Sequence, residues 1–182
     1  MKQVWRIFSV NGEKIEAFIT QMENDDKDFI KHLYFRWKNL NDTIKSCSTR
    51  GVNLPEIISE NAFCVFFENC VRIDKLKHGK CSFDVINTKT GSRIQIKACS
   101  VASDLTSFGP RSEWDELFFL DFSAGDGSFK VYKIEPDLIY NHKVNKNQTF
   151  AEQQAEGKRP RFSIIDSIIK PLNMKPTKVC TL

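Results

Sequence analysis

Asp84, Gln95 and Lys97 are the residues whose types and spacing could do chemistry. A carboxylate is followed eleven positions later by an amide, then by one residue of any kind and a lysine. In the stretch SRIQIKACS (92–100) side chains of a strand alternate, so Gln95 and Lys97 share one face while Ile94 and Ile96 share the other. A carboxylate and an amide oxygen are hard ligands suited to Mg²⁺, and the backbone carbonyl of Ile96 could add another. Lys97 could then hold or polarise a water attacking phosphorus and offset the charge that builds on a phosphate.

Such a site needs a hairpin. Cys81 to Ile86 reads as its first strand, Thr88-Lys89-Thr90-Gly91 as the turn, and Ser92 to Val101 as its second strand. Upstream, Val4 to Ile19 is apolar around Asn11-Gly12, a dipeptide that favours a type I′ hairpin. Asp25 to Leu40 has apolar positions at Phe29, Leu33, Trp37 and Leu40 and predicts an amphipathic helix. A second helix is expected from an Asn53 N-cap with Pro55 in its first turn, running to about Asn69 with Ile57, Ile58, Ala62, Val65 and Phe66 on its buried stripe.

Downstream, DELFFLDF (115–122) is a near-continuous apolar run, as expected of a strand covered on both faces. Ala124-Gly125-Asp126-Gly127 turns the chain into a strand over Phe129 to Ile134. After Pro136 the chain reads as polar and irregular, and a last helix is expected from Ser163 to just before Pro171. The order predicts an α/β or α+β domain, with a central mixed β-sheet flanked by helices on both sides.

The pattern at 84, 95 and 97 resembles the PD-(D/E)XK nuclease superfamily, whose signature is an acid on one strand and an acid-x-lysine on the next. Gln95 departs from it, standing where Glu or Asp is usual; the amide keeps an oxygen ligand and removes one negative charge. NLPEIISENAF (53–63), SFGPRSEWDELFFLDFSAGDGSFKVYKI (107–134) and NKNQTFAEQQAEGKRPRFSIIDSII (145–169) are similar to segments of small type II restriction endonucleases. The resemblance implies a restriction-endonuclease-like fold and a Mg²⁺-dependent endonuclease cutting double-stranded DNA at a short specific site. It also implies 5′-phosphate ends, a homodimer in which each copy cuts one strand, and a cognate DNA methyltransferase. Asp84, Gln95, Lys97 and Glu60 would be catalytic, with Asp84, Gln95 and the carbonyl of Ile96 on the metal. A helix glutamate reaches the metal site in several nucleases of this kind. Glu60 fits that place and would restore the charge lost at Gln95; Glu56 lies one turn earlier on the same face.

Two other readings fit the same residues: a non-catalytic DNA-binding module with a degenerate nuclease fold, and a repair nuclease or junction resolvase.

Charge adds a second feature. Residues 141 to 182 carry eight Lys or Arg against three acids, whereas the preceding 140 residues carry nineteen against twenty. A basic C-terminal segment on a neutral body suits a polyanion. Within it Lys158, Arg159 and Arg161 could neutralise phosphates, and Arg could also read guanine. Gln148 and Gln153 could pair with bases, and Thr149 could donate to a phosphate.

At 182 residues, 41% hydrophobic and 27% charged, the composition is that of one globular domain rather than a disordered chain, and the resemblance implies that residues 1–182 are a single nuclease domain. No apolar run is long enough for a membrane helix. Six scattered cysteines, without C-x-x-C pairs or Cys/His clusters, argue against zinc and for reduced thiols in a cytoplasmic setting.

Overall fold

Asn11 and Gly12 both take positive φ, 50° and 83°. That backbone closes β1 (Lys2–Val10) onto β2 (Glu13–Gln21) as the expected two-residue hairpin. The computed structural model describes residues 1–79, 81–102 and 104–182.

A single 3₁₀ turn at Asn24–Asp26 leads into α1 (Lys27–Cys47). This helix is longer than expected and is rotated on its axis. Ile30, Tyr34, Trp37 and Asn41 are buried, while Phe29 and Leu40 are exposed. The sheet underneath selects the stripe of Ile30, Tyr34 and Trp37, which packs on Phe122 and its neighbours.

Helix α2 (Glu56–Phe66) starts two residues later than an Asn53 cap requires. Pro55 itself takes the cap position, and the carbonyl of Asn53 instead accepts from Trp37 Nε1 at 3.0 Å. Ile57 is exposed, and the buried side carries Ile58, Ala62, Phe63 and Cys64 together with Glu60.

The helix does not reach Asn69, because Asn69 takes a positive φ of 60° and the chain turns there into β3 (Cys70–Leu76). This strand was not expected. Its period-2 pattern, with Val71 and Ile73 buried and Arg72 and Asp74 turned the other way, is plain once the helix is cut short.

Next come β4 (Val85–Asn87), β5 (Arg93–Cys99), β6 (Thr106–Ser107), β7 (Glu116–Asp121) and β8 (Ser128–Ile134). The region after Pro136 is less irregular than its composition suggests. It holds α3 (Pro136–Tyr140), α4 (Phe150–Ala155) and β9 (Arg161–Phe162). The expected last helix is a single widened π turn at Ile165–Ile169, and it is followed by β10 (Lys178–Thr181), a strand that, like β3, β6 and β9, was not expected.

Eight strands form one mixed sheet in the order β1-β2-β3-β4-β5-β7-β8-β10, and β6 pairs with β9 beside it. Every neighbour pair in the large sheet is antiparallel except β5 with β7. Helices α1 and α2 cover one face over Val85, Ile94, Ile96, Phe118 and Leu120. On the other face α3, α4 and the π turn pack over Ile73, Phe119, Tyr132 and Ile134. This is the expected α+β architecture of a mixed sheet with helices on both sides, consistent with a restriction-endonuclease-like fold. No helix among the described residues is long and apolar enough to cross a membrane.

Candidate active site

The site arises where β4 ends too soon. It pairs with β5 only through Val85↔Ile94 and Ile86↔Arg93. Cys81 to Asp84, expected within the strand, lie outside it. Beyond Gln95, β5 therefore has an open edge on the β4 side, although β7 still pairs with it on the other side through Cys99. The backbone of Asp84 stays in register, its N–H giving to Ile94 O at 3.0 Å and its C=O taking Ile73 N–H at 2.9 Å. Its carboxylate then turns into the gap and accepts the Ile96 N–H at 2.8 Å, the donor that a longer β4 would have used. The N–H and C=O of one strand residue point to the same side, so the Ile96 carbonyl also faces the open edge.

Gln95 completes the group. It is 3% exposed, and its amide Nε2 donates to the same Asp84 oxygen. Lys97, on the same face of β5, is half-buried, with its ammonium 5.4 Å from the centre of the Phe108 ring. Its charge acts on Asp84 directly. Burial pushes the Asp84 carboxyl up to about 6, against the opposing pull of Lys97 and of the Ile96 N–H. Asp84, Gln95 and Lys97 are thus brought together, and β5 is an interior strand rather than an edge on which a lysine would need no explanation.

Glu60 reaches this group from α2. It is 6% exposed and held by Arg72 Nε at 2.6 Å. Burial and the nearby charge of Asp84 push its carboxyl up to about 7, while Arg72 opposes them. Arg72 also binds Asp74, which accepts from Thr20 Oγ1 at 2.7 Å. Arg72 escaped the sequence reading because it sits on the unexpected β3. The signal that could have found it is the alternation in VRID, an arginine and an aspartate on one face of a strand.

Glu56 lies on the rim of a cleft of about 480 Å³ at the open edge of β5. Lys97, Ser59, Thr106 and Arg161 also line it. The short β6–β9 pair forms the wall facing α2 and brings Arg161 from the basic C-terminal segment to within the same cleft as Lys97.

The other expected DNA contacts divide by what their side chains already do. Thr149 caps α4, its hydroxyl accepting from the Glu152 N–H at 3.3 Å, while the Glu152 carboxylate takes the Thr149 N–H at 2.7 Å. Gln153 is buried, so its amide reaches a base only by leaving its packing. Gln148 gives to Glu156 Oε1 at 2.7 Å, and Lys158 pairs with Glu156 at 2.5 Å; both lie at the surface. Arg159 and Arg161 are exposed.

The donor set suits a hard cation. The Asp84 carboxylate and the Ile96 carbonyl face one gap, and the Gln95 amide presents its oxygen there after a half-turn about its last torsion. Among the described residues no three His, Cys, Asp or Glu side chains stand close enough to hold a metal, so an amide and a carbonyl must be part of any such site. Two carboxylates crowded into a desolvated place, with raised pKa values, are the electrostatic counterpart: an added cation relieves both.

The family model described as Bsp6I restriction endonuclease matches residues 22–171, a span that contains every residue of this site. The chain belongs to the Bsp6I restriction endonuclease family. It is 40% identical over 148 residues to the type II restriction enzyme Bsp6I of Bacillus sp. (strain RFL6), covering 79% of this chain and 80% of that relative. No solved structure matches the chain. Family membership makes the chain a site-specific restriction endonuclease acting on DNA, and the resolvase and repair readings lose their ground. The whole β1–β2 hairpin precedes the matched span, whereas the open edge of β5, α2 and the basic segment through the π turn fall inside it.

Proposed function

We propose that the chain is a PD-(D/E)XK endonuclease of the type II kind, dependent on Mg²⁺, that cuts both strands of a short specific duplex site and leaves 5′-phosphate and 3′-hydroxyl ends. The observation that supports this most is the placement of Asp84 and Lys97 at the open edge of β5, with Gln95 bonded to Asp84 between them. Asp84, the Ile96 carbonyl and the Gln95 amide oxygen would hold the ion. The chemistry it would supply is Lewis-acid activation of water and neutralisation of charge on the phosphate.

The chain's own groups do the remainder. Lys97 orients the attacking water by its ammonium and stabilises the charge that gathers on the non-bridging phosphate oxygens. Water oxygen attacks phosphorus as its proton passes to bulk water, the P–O3′ bond breaks, and O3′ takes a proton from solvent to leave as the 3′-hydroxyl. Asp84 keeps Gln95 in place and, with Glu60, sets the negative potential that draws a cation into the gap. Arg161, across the cleft, takes a phosphate of the same strand, Lys158 and Arg159 extend the basic surface beyond it, and Gln148 offers a neutral amide beside them.

One such site cuts one strand, so a twofold homodimer on a symmetric target is the economical assembly. A methyltransferase that protects the same target is the expected companion in the cell.

Digestion of a sequenced plasmid with Mg²⁺, followed by mapping of the ends, tests this reading. Discrete fragments with 5′-phosphates are expected. Binding without cleavage, under conditions where an added chelator changes nothing, would overturn it in favour of a non-catalytic DNA-binding module.

A further inference from the structure

A second recess adjoins the cleft. It has a volume of about 180 Å³ and lies between the C-terminal half of α1 and the turn after β7. Tyr34, Lys38, Asn41, Lys45, Ser100 and Gly125 are among the residues that line it. Ser100 lines the cleft beside Lys97 as well, so the two hollows share a wall. The partition between them is rigid. Asn41 Oδ1 accepts the Val52 N–H at 3.0 Å, and Trp37 Nε1 gives to the carbonyls of Val52 and Asn53, which fixes the 52–54 segment to α1.

The place in the fold is suggestive. β5 and β7 run parallel, and both hollows sit where these strands end, at Ser100 and at Phe122–Gly125. In open sheets that is where ligands gather. The lining carries two lysines, Lys38 and Lys45, against one acid, Asp42. Lys38 is taken up by Asp42, but Lys45 has no carboxylate within ion-pair distance among the described residues. Gly125 makes room on the other side, since a Cβ there would come within 3.2 Å of the Lys38 side chain. Finally, the hydroxyl of Tyr34 is fully buried and its proton has no acceptor. A buried donor without a partner is costly, and it stands in the lining of the recess.

We propose that this recess is a DNA-backbone subsite, in which Lys45, with Lys38 beside it, takes a phosphate of the strand that is cut at Lys97. Three residues of extended chain separate Lys97 from Ser100, about 10 Å at the usual rise of a strand. That is the axial span of roughly three phosphates of one strand. The subsite therefore engages a phosphate a few nucleotides from the scissile one. The inference rests on the reading of the chain as a DNA endonuclease that cuts at the open edge of β5.

The test is the salt dependence of binding. The affinity of wild-type protein for a fluorescent duplex carrying the mapped cleavage site is measured in metal-free buffer from low to high salt. Each neutralised phosphate contributes about 0.9 to the slope of log K against log salt. Lys45→Ala is expected to lower the slope by about that amount, Lys45→Arg to restore it, and Lys14→Ala, at the tip of the first hairpin, to leave it unchanged. A Lys45→Ala slope equal to wild type overturns the subsite, as does an equal loss in Lys14→Ala, which would mark a general effect of charge. Wild-type protein that neither binds the duplex nor cuts plasmid fails the endonuclease reading instead, so the two failures are told apart.

Discussion

Gln95 gives its side-chain N–H to the carboxylate of Asp84, the same oxygen that takes the backbone N–H of Ile96. The amide thus does in the metal-free protein what a cation would do in the loaded one: it offsets the charge of a desolvated carboxylate. A glutamate at 95 could not, since it would place a second carboxylate against the first.

Substitution at 95 should therefore separate folding from chemistry. Gln95→Glu is expected to cut DNA within a few-fold of wild type, because it supplies a familiar oxygen ligand, yet to be less stable without metal. Gln95→Ala removes a hydrogen bond to a charged group, about 1.5–3 kcal/mol of interaction, and is expected to be much the poorer enzyme. Urea unfolding with and without Mg²⁺, beside plasmid cleavage, checks both. A metal-free Gln95→Glu protein as stable as wild type would contradict the electrostatic account.

Asp84→Ala and Lys97→Ala are expected to abolish cleavage while largely sparing DNA binding, since each acts at the scissile phosphate alone and most phosphate contacts fall to the basic C-terminal segment. Plasmid assays and gel shifts on the same preparations decide this. Either variant cutting at the wild-type rate would remove the open edge of β5 from the chemistry.

Acidity should favour the metal-free fold. Burial, with a smaller push from Glu56, raises Asp84 to about 6, and burial together with the charge of Asp84 raises Glu60 to about 7, above their ordinary values of 3.8 and 4.5. The folded chain holds these protons more tightly than the unfolded one. Their contribution to stability is therefore complete below about pH 4 and is lost as pH rises through the folded values, between 4 and 7. Denaturation midpoints of metal-free protein should fall over that window, and less so in Asp84→Asn and Glu60→Gln. An equal fall in the variants would mean that other groups dominate.

How much of this was legible beforehand follows from what each signal depends on. Strand alternation and the hairpin are local, so SRIQIKACS placed Gln95 and Lys97 on one face correctly, and Asn11-Gly12 placed the first turn. The run DELFFLDF announced β7 because a strand buried on both faces leaves no polar alternation. What depends on neighbours was not legible. Helix α1 chose Ile30, Tyr34 and Trp37 over Phe29 and Leu40 because of the sheet below. The apolar run AFCVFF carried the expected helix on to Asn69, where the chain instead turns into the next strand, which concealed β3 and with it Arg72. The early end of β4, which opens the edge of β5 and lets Asp84 reach Ile96, is a matter of pairing and has no mark in the sequence. In the C-terminal segment composition overstated the free donors: Thr149 and Gln153 are engaged by α4 itself, whereas Arg161 is delivered to the cleft by β9.

Arg72 deserves the most severe test, because it carries Glu60. It joins α2 to β3, through Glu60 on one side and Asp74 on the other, and Asp74 extends the chain of bonds to Thr20 and Gln3 on β2 and β1. Arg72→Ala leaves Glu60 buried beside Asp84 with no counter-charge. Breaking a buried pair in this way costs about 3–5 kcal/mol. Combining it with Glu60→Gln should recover much of that loss, because the stranded charge is gone. If Arg72 only fills space, the two losses add and the double variant is the least stable of the three. Urea unfolding of wild type, both single variants and the double variant at pH 8 distinguishes these outcomes, and a coupling near zero would show that the ion pair does not hold Glu60 in the site.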